Sequence, residues 1–173
     1  MTLVVKNILR FLLILFVQVY ILSRIPPLHQ FIVPYFYFVF VLWLPFKISN
    51  TSLLIVAFGV GSVVDIFYKT PGLHAAAVVL IAYLRPFLIN LLLPKEAIEW
   101  GNEEPSKKNM GTVPYFTYVV LLTLLHNAYL IFLEWISFGE VSYFLGKLIA
   151  TSAISVLLIV VADLLVIRKS KAR

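Results

Sequence analysis

Six long apolar segments follow one another along the chain, separated by short polar stretches. They cover residues 3–22, 31–46, 53–68, 73–93, 115–138 and 141–167. Each is near the length that crosses a hydrocarbon core of ~30 Å, for which an α-helix needs about 20 residues. Their apolarity is continuous and does not alternate as it does in barrel strands. The pattern therefore predicts an all-α, polytopic membrane protein with about six transmembrane helices.

The first two segments differ from the others in their flanks and interruptions. The first begins with Lys6 and Arg10, as a signal peptide does, but the SRIPPL that follows Leu22 offers no small-residue cleavage site. We expect it to be retained as the first helix. The second is short and contains Pro34 and Pro45. Because proline lacks a backbone donor and clashes with the preceding turn, this segment is expected to tilt or break.

Composition supports a membrane protein. Hydrophobic residues make up 62% of the 173 positions, and the mean hydropathy is +1.00, whereas soluble domains are about 45–50% apolar. There is no cysteine, which excludes disulfides and thiolate metal sites. The long polar stretch at about 94–114 is expected to be a mobile linker or a partner-docking loop, and the whole chain 1–173 a single transmembrane domain.

The formal charge of +6 does not indicate nucleic-acid binding, because the basic residues stand at the ends of the apolar segments. Under the positive-inside rule such residues mark the cytoplasmic side. An amino terminus in the cytoplasm places three bases outside (Arg24, Lys69 and Lys147) and ten inside: Lys6, Arg10, Lys47, Lys95, Lys107, Lys108, Arg168, Lys169, Lys171 and Arg173. The count predicts that both termini are cytoplasmic.

Three ionisable residues lie inside apolar segments, where charge is costly: Asp65, Arg85 and Asp163. Asp65 and Lys69 are four residues apart, so they share a helical face and either pair with each other or contact a partner. Arg85 lies about 18 Å into its segment at 1.5 Å per residue. Asp163 has a comparable depth and is the expected partner of Arg85. Alternatively, Pro86 ends the helix and Arg85 extends to the interface.

Small and turn-forming residues cluster in the same region. Gly59, Gly61 and Ser62 allow another helix to approach closely, and Thr70, Pro71 and Gly72 have turn chemistry just before His74. The three histidines, His29, His74 and His126, have no metal-ligand spacing, so neither a metal nor a cofactor is expected.

Residues 59–86 read GVGSVVDIFYKTPGLHAAAVVLIAYLRP. This run resembles the signature hairpin of the MreD family of bacterial rod shape-determining membrane proteins. Length, the six-segment layout, the LWLP at 42–45 and the basic tail agree with that family. One departure is the Val60–Gly61 pair, where a Gly-Leu pair is common. The matching positions are Gly59, Gly61, Asp65, Pro71, Gly72, Leu73, His74, Ala75 and Arg85.

The resemblance implies a non-enzymatic scaffold of the cell-elongation complex in the bacterial inner membrane, with no catalytic residue. Its implied partners are MreC, MreB, the polymerase RodA with its class B penicillin-binding protein, and membrane lipids. The implied partner surface is the hairpin, with MreC as the expected partner and with the residues Gly59, Gly61, Asp65, Pro71, Gly72 and His74. The family is also similar in fold to the substrate-binding components of energy-coupling-factor vitamin transporters.

The sequence leaves two other functions open. A small-molecule carrier of that transporter type needs a polar, aromatic-lined cavity near the outer face, and Asp65, Tyr68, Lys69, His74 and Trp43 are candidates to line it. An intramembrane hydrolase needs a nucleophile beside a base. The candidate nucleophile and base are Ser62 and His126, but the Gly-x-Ser-Gly motif of rhomboid proteases is missing. We therefore expect no enzymatic activity.

Overall fold

The structure is a computed structural model that describes residues 3–24, 32–94, 104–134 and 140–170. These residues form helices and connecting turns, with no β-strand among them. Five helices are long and apolar enough to cross a membrane: Val5–Arg24, Asn50–Tyr68, Leu73–Leu92, Thr112–Glu134 and Val141–Leu165. The prediction of an all-α, polytopic membrane protein is confirmed.

Seven α-helices occur in the described residues: α1 Leu3–Phe16, α2 Val39–Leu42, α3 Asn50–Tyr68, α4 Leu73–Leu92, α5 Lys107–Met110, α6 Thr112–Glu134 and α7 Val141–Ser170. A π-helical turn, Val17–Ile21, and a 3₁₀ turn, Leu22–Arg24, extend α1. Helix α3 packs on α4, α4 on α6 and α6 on α7, while the short α2 lies against α1, α3 and α4. The core of the bundle therefore surrounds α2.

In the described part of the chain the second predicted transmembrane helix is not one, and five long helices are found where six were expected. Only Val39–Leu42 is α-helical in this segment. Pro34 and Pro45 bracket the region, and neither has a backbone N–H to continue a helix. The residues from Tyr35 to Leu44 are nevertheless at most 8% exposed. Non-helical backbone at membrane depth is tolerated where protein covers it, and here the surrounding helices do so.

This segment, residues 32–49, still runs from one end of the bundle to the other, and we call it the buried crossing. Near its start, Pro34 contacts Gln18, which also contacts Tyr68 at the end of α3. Because α1 and α3 thus end at the same level, the chain between them must return across the bundle before α3 can begin at Asn50. The fold has five long helices and a sixth crossing of mostly irregular backbone.

Two ends of the bundle can be defined from contacts. The hairpin end contains Tyr68, His74 and the pair of Glu134 with Lys147 at 2.6 Å. The termini end contains Glu104, which pairs with Lys6 at 2.9 Å and Arg10 at 2.8 Å. Near it, Tyr115 at the start of α6 bonds Asp163 late in α7. The first helix therefore begins, and the last helix ends, at the same end of the bundle.

The predicted loop at 94–114 is shorter than expected. Residues 95–103, including Lys95, lie outside the described part of the chain. The described remainder contains α5, and α6 begins at Thr112, before the predicted Tyr115. Pro105 and Met110 are buried, and Glu104 is tied to α1. This described part of the stretch is docked on the bundle.

Candidate functional site

Asp65 near the end of α3 caps the start of α4. The N-cap position of α4 is Gly72, which has a φ of +82° and no side chain to accept a hydrogen bond. The carboxylate of Asp65 takes over this role. It accepts from the backbone N–H groups of Gly72 at 3.0 Å, His74 at 2.9 Å and Ala75 at 3.1 Å. A negative charge at a helix N-terminus also complements the helix dipole.

Two side chains complete the surroundings of Asp65. The Thr70 hydroxyl donates to its Oδ1 at 3.1 Å, and His74 Nδ1 lies 2.9 Å from the same oxygen. Lys69 is exposed and is not among these partners, so the predicted Asp65–Lys69 pair is wrong. Lys69 instead ends α3 with a φ of 57°, and its backbone N–H bonds the carbonyl of Asp65. Asp65 therefore organises both sides of the turn.

The two glycines of the hairpin have different environments. A Cβ on Gly61 would lie 2.7 Å from the backbone nitrogen of Ala75 and 2.9 Å from the carbonyl oxygen of His74. Real Cβ atoms do not come so close to backbone, so Gly61 is what lets α3 and α4 meet. A Cβ on Gly59 would have nothing within 4 Å. Gly61 therefore packs inside the protein, whereas Gly59 is exposed.

His74 and His126 belong to one buried aromatic cluster. The ring of His74 has its centroid 5.1 Å from that of Tyr68, 5.5 Å from Tyr37 and 5.9 Å from Tyr35. His126 Nε2 is 2.8 Å from the Tyr37 hydroxyl, and its Nδ1 is 2.9 Å from Asn127 Oδ1. The described residues contain no group of three or more His, Cys, Asp or Glu side chains that could hold a metal ion. His29 lies outside them.

Gln18 is a buried polar residue that the sequence did not single out. Its amide nitrogen donates to the carbonyl of Pro34 at 3.1 Å and to the Tyr68 hydroxyl at 2.9 Å. Its amide oxygen accepts from the backbone N–H groups of Phe36 at 2.7 Å and Tyr37 at 3.2 Å. All the hydrogen-bonding capacity of a glutamine is thereby used. A polar residue on the first apolar helix, followed by a proline-containing segment, was the available signal.

Arg85 hydrogen-bonds the second half of the buried crossing, whereas Gln18 hydrogen-bonds the first half. Its guanidinium donates to the carbonyl of Leu44, to that of Pro45 at 3.4 Å and to the Tyr118 hydroxyl at 3.0 Å. Tyr118 in turn donates to the carbonyl of Leu42 at 2.9 Å. Helix α2 ends at Leu42, so these three carbonyls lie beyond its regular hydrogen bonding, and only that of Pro45 accepts in a turn, from the N–H of Ile48 at 3.4 Å. The guanidinium supplies the donors that a membrane interior without water cannot.

The predicted Arg85–Asp163 pair is therefore wrong, because each charge has other partners. Asp163 Oδ1 accepts from the Tyr115 hydroxyl at 2.9 Å, and that hydroxyl accepts from Trp43 Nε1 at 3.1 Å. The alternative prediction, that α4 ends at Pro86 and Arg85 extends to the membrane interface, is also wrong. Helix α4 continues through Pro86 to Leu92, and Arg85 is 1% exposed, so it does not reach the interface.

The residues suggested for the carrier and the hydrolase are not all brought together. Trp43 contacts Tyr115 and lies under the guanidinium of Arg10, 5.6 Å from its ring centroid, at the termini end. It is therefore remote from His74 and cannot line the same cavity. Both ring nitrogens of His126 have the partners Tyr37 and Asn127, and Ser62 is not one of them.

Comparisons with protein-family models, with curated proteins and with solved structures find no match to this chain.

Proposed function

We propose that the chain is a non-enzymatic membrane scaffold of the bacterial cell-elongation complex, of the MreD type. The resemblance of residues 59–86 to the signature hairpin of that family motivates the proposal. The geometry of the hairpin supports it. Four of the residues that carry the resemblance hold the turn between α3 and α4 through hydrogen bonds, as a docking element requires: Asp65, Gly72, His74 and Ala75.

The observation that carries the proposal is the set of five contacts at Asp65. A carboxylate has about four lone-pair sites, and those of Asp65 are already taken by the turn and the start of α4. The group is buried and has no capacity left for a ligand. The tip of the hairpin is different, since Lys69, Pro71 and Gly72 are exposed. The buried carboxylate of Asp65 fixes the conformation of the turn, and the exposed tip of this turn is the surface that we assign to a partner.

The arrangement of charges supports the orientation. Lys6, Arg10, Lys107 and Lys108 lie at the termini end, and Lys69 and Lys147 lie at the hairpin end. The positive-inside rule then puts the termini end in the cytoplasm of a bacterial inner membrane and the hairpin outside it. There the hairpin meets the bitopic protein MreC, whose outer domain is on that side. MreB and anionic lipids meet the termini end, and RodA with its penicillin-binding protein meets the lipid-facing helices.

Co-purification of MreC from native membranes tests this assignment. Pro71→Arg adds a large charged side chain to the exposed tip without removing a hydrogen bond, because proline has no N–H. We expect it to reduce the MreC recovered at least tenfold and to give rounded cells, with an unchanged unfolding temperature. Ser142→Arg, at an exposed position near the start of α7 at the same end of the bundle, is the matched control and should retain MreC and rod shape.

Asp65→Ala gives a second test with a different signature. The variant should insert into the membrane but lose MreC together with part of its stability, because the tip is then no longer braced. Full MreC recovery and normal shape in both Pro71→Arg and Asp65→Ala would contradict the scaffold assignment for this hairpin.

The small-molecule carrier remains the alternative because of one observation. His74 Nε2 is buried among Tyr35, Tyr37 and Tyr68 and has no hydrogen-bond partner in the described residues. A polar ligand atom would satisfy it. Native mass spectrometry of the purified protein discriminates the two functions. A retained small molecule whose mass signal disappears in His74→Phe would favour the carrier, whereas retention of MreC alone favours the scaffold.

A further inference from the structure

We propose that a groove between α1 and α7 at the termini end is a specific site for an anionic glycerophospholipid. The groove has a volume of about 470 Å³. Helices α1 and α7 are not among the closely packed pairs of the described structure, and the groove occupies the space between them. The proposal does not depend on which protein partners the chain has.

The body of the groove suits an acyl chain. Leu13, Ile14 and Val17 line it from α1, and Leu158, Val161 and Ala162 line it from α7. From Leu9 to Val17 the groove follows α1 for about 12 Å at 1.5 Å per residue. Both helices belong to the membrane-spanning set, and Leu13 and Val161 are exposed on it. Hydrocarbon chains are the medium that contacts such a surface in a membrane.

The mouth of the groove is cationic, which distinguishes the site from ordinary lipid-facing surface. Arg10 lines the groove, and its guanidinium stacks over the ring of Trp43, which lines it as well. Glu104 is the one acceptor bonded to Arg10 in the described residues, so only one of its amino groups is engaged. Lys6 lies beside the same carboxylate at 2.9 Å. Two cations thus face one anion at the level where a lipid phosphate would lie.

The remaining charges nearby do not cancel this excess. Asp163 is not among the residues that line the groove, and its Oδ1 accepts from the Tyr115 hydroxyl. Lys107, which lies over the ring of Phe116 at 4.8 Å, adds a positive charge to the same end. Basic pockets between transmembrane helices bind anionic head groups, and tryptophan is enriched at head-group depth. Charge complementarity at the mouth and apolarity below it together select an anionic phospholipid over a zwitterionic one.

Fluorescence quenching of Trp43 by brominated lipids reports directly on the groove. The full-length protein with Trp100→Phe and Trp135→Phe retains Trp43 as its single tryptophan. It is reconstituted in phosphatidylcholine vesicles with increasing amounts of phosphatidylglycerol, the bromine atoms being on the chains of one lipid or the other. We expect brominated phosphatidylglycerol to quench Trp43 at about a fivefold lower mole fraction, the factor that one basic residue near an anionic head group contributes.

Paired variants separate the head-group contact from the chain contact. Arg10→Gln should abolish the preference and Arg10→Lys should keep most of it, while Glu104→Gln should strengthen it because the competing carboxylate is gone. Ala162→Phe fills the groove and should reduce quenching by both lipids. Ala153→Phe, on an exposed part of α7 outside the groove, should leave quenching unchanged.

Two results would overturn the proposal. Equal quenching by the two lipids, unaffected by Arg10→Gln, would make the groove ordinary lipid-facing surface. Quenching that disappears when a partner protein is added, with no head-group preference in its absence, would assign the groove to a partner helix.

Discussion

Asp65 and Arg85 are two buried charges on adjacent helices, and both serve backbone groups. The carboxylate at the hairpin end accepts from the N–H groups that open α4. The guanidinium, deeper in α4, donates to carbonyls of the buried crossing. The difference is in sequence separation: the backbone donors of Asp65 are at most 10 residues away, whereas the carbonyls that Arg85 binds are 40 and 41 residues away.

This difference sets how far the loss of each charge should spread. The cap at Asp65 is local, because the hydrogen-bond partners of its carboxylate all belong to the α3–α4 hairpin. The contact at Arg85 joins α4 to a distant segment whose internal backbone hydrogen bonds are confined to α2 and short turns. Helix α2 in turn lies against α1, α3 and α4. We therefore expect Arg85 to affect the whole bundle and Asp65 to affect mainly the hairpin.

The largest effect is expected when the distant contact is broken. Arg85→Met leaves the carbonyl of Leu44 without its guanidinium donor in a dry interior and leaves that of Pro45 with only the N–H of Ile48 at 3.4 Å. Because a hydrogen bond to a charged group contributes about 1.5–3 kcal/mol, the free energy of unfolding should fall by about 3 kcal/mol or more. Reversible unfolding in mixed micelles measures it. Arg24→Met, at an exposed position, is the control, and a loss equal to that control would contradict the role given to Arg85.

Removal of the local cap should cost less. Asp65→Ala should lower the free energy of unfolding by about 2 kcal/mol, as losses of N-caps and of buried hydrogen bonds do. Asp65→Asn keeps one acceptor and should fall between Ala and the native residue. Hydrogen exchange should rise at the start of α4 and remain unchanged in α6. Equal acceleration in both helices would make the Asp65 contact global and remove the contrast with Arg85.

The packing of the hairpin can be separated from its cap by one matched pair. Gly61→Ala forces α3 and α4 apart at Ala75 and should cost about 1–2 kcal/mol, as overpacking does. Gly59→Ala has free space and should be neutral or slightly stabilising, because alanine favours the helix. The same unfolding assay compares them. If the two variants had equal stability, the close approach at Gly61 would be wrong.

The smallest effect concerns a carboxylate at the bundle surface. Burial alone would raise the pKa of Glu104, but hydrogen bonds from Arg10 and Lys6 hold it below its ordinary value of 4.5. A lowered folded-state pKa means that the stabilisation is complete above pH 4.5 and is lost as the pH falls through the folded-state value. Glu104→Gln should remove this pH dependence at a cost below about 1 kcal/mol near neutral pH. An unchanged acid profile would contradict the pairing.

The features that the sequence analysis predicted correctly rest on local pattern. Continuous apolar runs predicted the five long helices within a few residues, and the Pro34 and Pro45 interruptions predicted that the second segment would tilt or break. The turn at Thr70 to Gly72 also follows from residue type. These signals depend on neighbouring residues in the sequence. The membrane restricts the backbone either to helices or to irregular chain that protein covers.

The partners of the buried charges could not be predicted in the same way. Depth alone suggested Asp163 for Arg85, since two charges at one level were assumed to need each other. The structure instead gives Arg85 the unpaired carbonyls that the broken segment creates. Such acceptors are present in every residue and leave no mark in the sequence. Gln18 was missed for the same reason, because its partners are backbone groups of a segment still expected to be largely helical.

The most direct test of the central claim, that a braced acid supports an exposed docking tip, is photo-crosslinking in native membranes. A photoreactive amino acid is placed at Pro71 or at Ser142 in otherwise native protein. We predict a crosslink to the bitopic protein MreC from position 71 and little from position 142. Absence of any protein crosslink from position 71, or equal yields from positions 71 and 142, would contradict the account.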